Sequence, residues 1–175
     1  MKVFNGRVVA PGEVKAEALV SHGGLNTLAS FQKDLQFGDK TATCGDQNNA
    51  DLYGKQMAGK ALCLPQTIGS TTGGLVIYCA CSMGRQPACM LFSNPIDTLA
   101  GAGVILADVW LEGDHTKMPV IDSLAAAGSI LASVWLEDVN MPVVDSLGRE
   151  FLDYVEDGMT ITICNDGTVR VEEQV

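Results

Sequence analysis

The stretch from residue 61 to residue 93 constrains this chain most. It opens on a short apolar run, ALCLP (61–65), and passes through Gln66-Thr67-Ile68-Gly69-Ser70-Thr71-Thr72-Gly73-Gly74. An apolar run over 75–83 follows, and then a second short one, PACMLFS (87–93). Short apolar runs bounded by turn residues predict buried strands, and the longer run between them predicts a helix. Strand, loop, helix and strand in that order make a βαβ unit, so the two strands are expected to lie parallel in one sheet.

The flanks add strands. Residues 3–10 and 14–21 alternate around Pro11-Gly12, which predicts a β-hairpin opening the domain. Residues 23–60 have poor periodicity and many Gly, Asn, Asp and Gln. A short helix or strand is expected near 25–35, then a long loop of the kind that is functional or mobile. Asn94-Pro95 starts a turn, and Asp97 or Thr98 is placed to cap the next helix. Residues 149–156 read as a short helix with Leu152 and Val155 facing inward. Residues 159–164 and 168–172 alternate around Asn165-Asp166-Gly167, and Asp-Gly between such runs predicts a hairpin. Strands at both ends with βαβ units between them predict an α/β fold: a β/β/α three-layer domain with flanking β-hairpins, spanning 1–175 as one domain.

One segment occurs twice. Residues 103–112 (GVILADVWLE) match 128–137 (GSILASVWLE), and 118–124 (MPVIDSL) match 141–147 (MPVVDSL), with 14 of these 17 pairs identical. Two copies are too few for a solenoid, which needs about three or more. The expected reading is a tandem duplication of one α-β step at about 100–147. One copy should hold the sheet position and the other form an extra unit. Both tryptophans, Trp110 and Trp135, lie in the duplication, where helix packing is expected of them.

Net charge is −10 and pI about 4.4, which argues against nucleic acid or an anionic membrane as partner. No apolar run reaches the roughly 18–20 residues of a membrane helix. The start, MKVFNGRVVAPGE, lacks the apolar core of a signal peptide. A cytoplasmic location is therefore expected, and the six cysteines should be thiols there. Cys63, Cys89 and Cys164 lie in strand-like runs and Cys79 and Cys81 in the apolar helix, which suits core packing. Cys44 stands apart in a polar loop, where a place near an active site is the alternative.

The loop from Gly69 to Gly74 is the strongest chemical feature. It precedes a helix N-terminus, whose N–H groups and dipole favour an anion. Two readings stay open: an anion cradle for a carboxylate or phosphate, or an N-cap with packing glycines. It is neither a P-loop nor a GxGxxG or GxSxG motif. His22 beside Gly23-Gly24 reads as a surface residue, and His115 falls in a spacer that one repeat copy lacks. No HExxH, EF-hand or cysteine-pair signature appears, so no metal site is expected in this chain. A chain without its own catalytic set fits a subunit that completes a partner's site.

The run from Leu64 to Gly74 closely resembles the swivel-domain loop of aconitase X proteins. So do Gly6-Arg7-Val8-Val9-Ala10-Pro11-Gly12-Glu13, Tyr53-Gly54-Lys55 with Ala58-Gly59-Lys60, Asn94-Pro95-Ile96-Asp97, and Met141-Pro142-Val143-Val144-Asp145. The resemblance covers most of the chain. It implies a swivelling β/β/α domain that closes over a hydroxy-acid substrate as the small subunit of a heterodimeric dehydratase. It also implies an iron–sulfur cluster, held by the large catalytic subunit and not by this chain. By the same resemblance Ser70 is the catalytic base, and Gly69, Thr71, Thr72 and Gly73 are the substrate-binding residues. No arginine follows Ser70 as one does in aconitase itself, and Arg85 lies too far along the helix to replace it. With few Lys or Arg near the loop, cis-3-hydroxy-L-proline is the expected substrate. Mevalonate 5-phosphate, or a non-enzymatic anion-binding module, is the alternative. The duplication departs from the family pattern and bears on docking to the large subunit.

Overall fold

A computed structural model describes residues 1–37, 40–111 and 141–173. Its strands are β1 (Lys2–Asn5), β2 (Arg7–Ala10), β3 (Val14–Val20), β4 (Leu25–Asn26), β5 (Ala61–Leu64), β6 (Thr67–Ile68), β7 (Cys89–Phe92), β8 (Val143–Asp145), β9 (Thr160–Ile163) and β10 (Thr168–Glu172). The helices are α1 (Thr27–Phe37), α2 (Gly73–Ser82), α3 (Thr98–Leu111) and α4 (Arg149–Tyr154). Eight strands form one sheet in the order β1-β10-β9-β3-β5-β7-β8-β2, and β4 pairs with β6 separately.

The expected βαβ unit is present: β5 and β7 are parallel neighbours, with Ala61 opposite Cys89 and Leu64 opposite Phe92. Their side chains alternate between two cores. Leu62, Leu64, Met90 and Phe92 join Val76, Ile77, Ala100 and Val104 beneath the helices. Ala61, Cys63, Cys89 and Leu91 face the other way, toward Phe4, Ile161, Ile163 and Val169. A strand buried on both faces has a continuous apolar sequence, as ALCL and CMLF do. The result is a sheet between a second sheet layer and a helix layer, the β/β/α arrangement of an α/β fold.

The opening hairpin does not form. β1 pairs with β10, whereas β2 pairs with β8 at the opposite end of the strand order. Gly6 alone separates them, and its N–H donates to the Gly167 carbonyl at 3.2 Å, so the sheet curls until its two ends meet. A Cβ at Gly6 would come within 2.5 Å of the Asp145 carbonyl oxygen, so the crossing needs glycine. Alternation over 3–10 had concealed this break. Pro11-Gly12 carries the chain across to β3, which pairs with β5 and β9 and not with β2.

The closing hairpin does form, with Val169 opposite Ile163 and a tight turn at Gly167. Leu152 and Val155 are buried as expected. The long loop after α1 is well packed, with Ala42, Cys44, Leu52 and Met57 in the core under the helices. In the duplicated region α3 includes the first helix copy, and β8 is the second strand copy. The first strand copy (118–124), the second helix copy (128–137), His115 and Trp135 lie outside the described residues, as does the side chain of Trp110.

Candidate functional site

β3, β5, β7 and β8 run parallel, so their carboxyl ends share one edge. Loops leaving such an edge are where α/β sheets place ligands. Here the loops are laced together. The Ser21 N–H donates to Cys63 O, Asn94 N–H to Pro65 O, and Ser146 N–H to Asn94 O, at 2.8, 3.3 and 3.2 Å.

The loop after β5 is pinned from two sides. β6 pairs in parallel with β4, setting Thr67 beside Leu25 and Ile68 beside Asn26. Asn26 Oδ1 accepts the Ala29 N–H at 3.2 Å at the start of α1. On the other side Thr67 Oγ1 donates to Asp97 Oδ2. Asp97 Oδ1 accepts the Leu99 and Ala100 N–H groups, both at 3.0 Å, and so caps α3. Gly69 follows with φ +103°, where a Cβ would stand 3.0 Å from the Asn26 amide. Two-residue strands have no periodicity, so the β4–β6 pair leaves no trace in the sequence pattern.

Ser70, Thr71 and Thr72 are exposed at the N-terminus of α2. Ser70 Oγ lies 2.9 Å from Thr72 Oγ1 and accepts the Thr72 N–H at 3.2 Å. Thr72 makes no side-chain cap to α2. Gly73 is buried, donates its N–H to Ser70 O at 2.9 Å, and packs where a Cβ would stand 2.8 Å from Thr27 Oγ1. Gly74 faces α3. The two open readings of this loop thus divide along it. Gly73 and Gly74 serve packing, while the hydroxyls of residues 70–72 face solvent at the positive end of a helix dipole. The segment that carries them is itself uncharged: no Asp, Glu, Lys or Arg occurs from 61 to 84 in a chain of net charge −10. Leu28, Ile68 and Leu75 are exposed apolar residues on the elements that carry and flank this loop.

A cation stands at the same edge. Arg7 and Asp145 face each other across β2 and β8, and Arg7 Nε donates to Asp145 Oδ1 at 2.9 Å while Nη2 reaches Oδ2. Asp145 also accepts the Ile96 N–H at 2.7 Å and the Ser146 hydroxyl at 3.2 Å. Its side chain is fully buried, whereas that of Arg7 is 63% exposed. Burial alone would raise the Asp145 carboxyl. The Arg7 and Ile96 hydrogen bonds, the Arg7 charge and Ser146 outweigh it and hold the group below the usual aspartate range. Nothing local in the sequence announces a pair 138 residues apart.

The remaining candidates have structural roles. His22 is exposed, with Nδ1 3.3 Å from Asp51 Oδ2. Arg85 is buried and donates to the Asp34 carbonyl at 2.6 Å, which removes it as a substrate ligand. Cys44 is 1% exposed and belongs to the core, because Ala42, Cys44, Leu52 and Met57 turn inward from a loop whose polar residues face out or bond to backbone. Burial pushes the Cys81 thiol up to about 12 and also raises Cys63 and Cys89, so these thiols are unreactive at neutral pH. Among the described residues no three His, Cys, Asp or Glu side chains gather as a metal site. The described cysteines are not grouped to hold an iron–sulfur cluster. No helix among the described residues is long and apolar enough to cross a membrane.

Comparison with known proteins gives a consistent family. The aconitase X swivel domain matches residues 3–171. The phosphomevalonate dehydratase small subunit of Methanocella arvoryzae is 25% identical over 172 residues, 98% of this chain and 94% of that protein. The protein of the same name from Thermococcus gammatolerans is 30% identical over 106 residues, 61% of this chain and 75% of that one. Among solved structures, aconitase X of Thermococcus kodakaraensis in its holo-form superposes with a TM-score of 0.69 at 21% identity. That match covers 99% of this chain and 100% of the other. A UPF0107 protein solved by solution NMR gives a TM-score of 0.66 at 20% identity, covering 98% and 100%.

Proposed function

This chain belongs to the aconitase X swivel-domain family, and on that premise we propose that it is the small subunit of a hydro-lyase that dehydrates mevalonate 5-phosphate. The observation that carries the role is the exposed Ser70 hydroxyl at the start of α2, on the carboxyl edge of the parallel strands. In this reading Ser70 Oγ takes the proton from the carbon next to the substrate carboxylate, a double bond forms to the following carbon, and the hydroxyl there leaves as water with a proton supplied from the large subunit's side or from solvent. A serine can do this only if negative charge on Oγ is stabilised. The Thr72 N–H already donates to that oxygen, the Thr72 hydroxyl lies 2.9 Å from it and can donate to a charged Oγ, and the α2 dipole has the right sign. Thr71, Thr72 and Gly69 line the approach, and Gly73 acts by letting α2 begin close against Thr27.

The names of the relatives favour mevalonate 5-phosphate over cis-3-hydroxy-L-proline. The preference for hydroxyproline rested on a lack of cations near the loop, and Arg7 at the same edge removes that ground. An uncharged loop flanked by exposed Leu28, Ile68 and Leu75 suits contact with a large subunit, since charged residues are depleted at interface centres. The iron–sulfur cluster expected for the enzyme is assigned to that partner.

The test is reconstitution. The purified chain is mixed with an iron-loaded aconitase X large subunit, and loss of water from mevalonate 5-phosphate and from cis-3-hydroxy-L-proline is followed. Turnover of the phosphate ester by the mixture supports the proposal. Turnover of hydroxyproline alone would reassign the substrate. A complex that binds phosphate esters without turnover would point to the anion-binding module instead.

A further inference from the structure

We infer that Arg7 is a substrate-binding residue, taking the phosphate end of the substrate whose carbon acid is presented to Ser70. The inference rests on the lyase reading for its substrate, but its geometry is independent of it.

Arg7 is built as a ligand and not only as a strap. The two partners of the pair are differently placed. Here the carboxylate is fully buried and holds four donors, two from Arg7, one from Ile96 and one from Ser146. The guanidinium has 63% of its side chain in solvent. Two of its five N–H groups orient on Asp145, leaving the others directed away from that partner, and a planar fork fixed this way suits a phosphate.

The position also fits. Val143 faces the helix-side core and Val144 the inter-sheet core, so Asp145 and its cross-strand partner Arg7 return to the helix side. The Ser70 loop lies on that side, because it leads into α2. Hydrogen bonds connect the two places: Arg7 to Asp145, Asp145 to the Ile96 N–H, and the adjacent Asp97 to Thr67 of β6. In the order β5-β7-β8-β2, β2 stands three strands from β5, about 14 Å at roughly 4.8 Å per strand. The arginine side chain covers part of that span, and the Thr67–Asp97 bond ties the Ser70 loop to the segment that leads from β7 toward α3. What remains suits a short acid carrying a phosphate on its far end.

Two measurements test this. In the first, the full chain labelled with ¹⁵N is titrated with inorganic phosphate, and the arginine Nε–H resonances are followed. A saturable shift at Arg7, absent at Arg149 and Arg170, is expected. No saturable shift, or an equal one at all three, would overturn the inference. In the second, the reconstituted complex carries Arg7→Gln or Arg7→Lys. Arg7→Gln should raise KM for mevalonate 5-phosphate about 100-fold, far more than it lowers kcat, as expected for a lost charged hydrogen bond. Arg7→Lys should recover part of this and shows that a charge at this position, not the fold, is responsible. An unchanged KM in a folded Arg7→Gln complex would overturn it as well. If the wild-type complex turns over no phosphate ester, the lyase reading fails, and the phosphate titration still decides whether Arg7 binds phosphate.

Discussion

Gly103 lies directly against Gly74: a Cβ on Gly103 would stand 2.1 Å from the Gly74 carbonyl oxygen, and one on Gly74 would stand 2.3 Å from the Leu99 carbonyl oxygen. α2 and α3 therefore meet backbone to backbone, and no side chain can yield to make room. This contact sets how close α3 sits to the helix that starts at Ser70. Gly74→Ala and Gly103→Ala should each cost about 1–3 kcal/mol of stability, the usual range for overpacking, measured by urea denaturation. Gly128→Ala, at the matching position of the second repeat copy, is the informative comparison. We propose that the first copy holds the place beside α2, so that this variant loses less. Equal losses would mean that either copy can take that place.

That pair shows where sequence reasoning reaches its end. Gly73-Gly74 after a Ser-Thr loop was legible as a close approach, but not what approaches. Local chemistry announced the βαβ unit, the Asp97 cap and the Asp166-Gly167 turn, because each is decided within a few residues. The opening hairpin failed because alternation over 3–10 is the same whether a strand pairs with its successor or splits at Gly6 between two sheet ends. Ser70 stands out in the sequence because its loop resembles a known one. Arg7 lies in a stretch with the same resemblance, but only the fold brings it to Asp145.

Asp145 predicts an acid response. Its carboxyl is held below the usual aspartate value in the folded chain, whereas an unfolded chain's aspartate titrates at about 3.9. A lowered folded value contributes stability that is fully present above the unfolded value. It is lost as pH falls from there through the folded value. Wild-type stability should thus decline below about pH 4. Asp145→Asn should be less stable at neutral pH by about 2 kcal/mol, the scale of hydrogen bonds to a charged group, and should lose less on acidification. Because Arg7 is mostly exposed, solvent screens the charge pair, and much of this cost falls on the Ile96 N–H. Parallel acid unfolding curves for the two proteins would contradict this account.

Ser70 and Thr72 should separate by size of effect. Ser70→Ala removes the proposed base, so kcat of the reconstituted enzyme should fall about 10²–10⁴-fold. Assembly and melting temperature should hold, because Ser70 is exposed. Thr72→Val removes the hydroxyl 2.9 Å from Ser70 Oγ but keeps the N–H that donates to it. A loss of about tenfold is expected, equivalent to roughly 1.4 kcal/mol. A Ser70→Ala enzyme with near-normal kcat would remove Ser70 from the chemistry.

Asp97 serves two elements at once, and two variants can tell its roles apart. One oxygen caps α3 through the Leu99 and Ala100 N–H groups, and the other accepts the Thr67 hydroxyl and so steadies β6 ahead of Ser70. Asp97→Ala loses both. It should cost about 1 kcal/mol from the cap alone, together with reduced turnover because the Ser70 loop is no longer held on that side. Thr67→Val keeps the cap and loses only the tether. If the tether positions the loop, Thr67→Val should leave the melting temperature nearly unchanged and still lower kcat several-fold. Asp97→Asn has a single acceptor oxygen; turned to the helix it preserves the cap, and its NH2 group then faces Thr67 Oγ1 as a donor, so this variant should stay closer to wild type than Asp97→Ala. A Thr67→Val enzyme with full activity would show that the loop is set by its other anchor, the β4–β6 pairing and Asn26 beside Gly69.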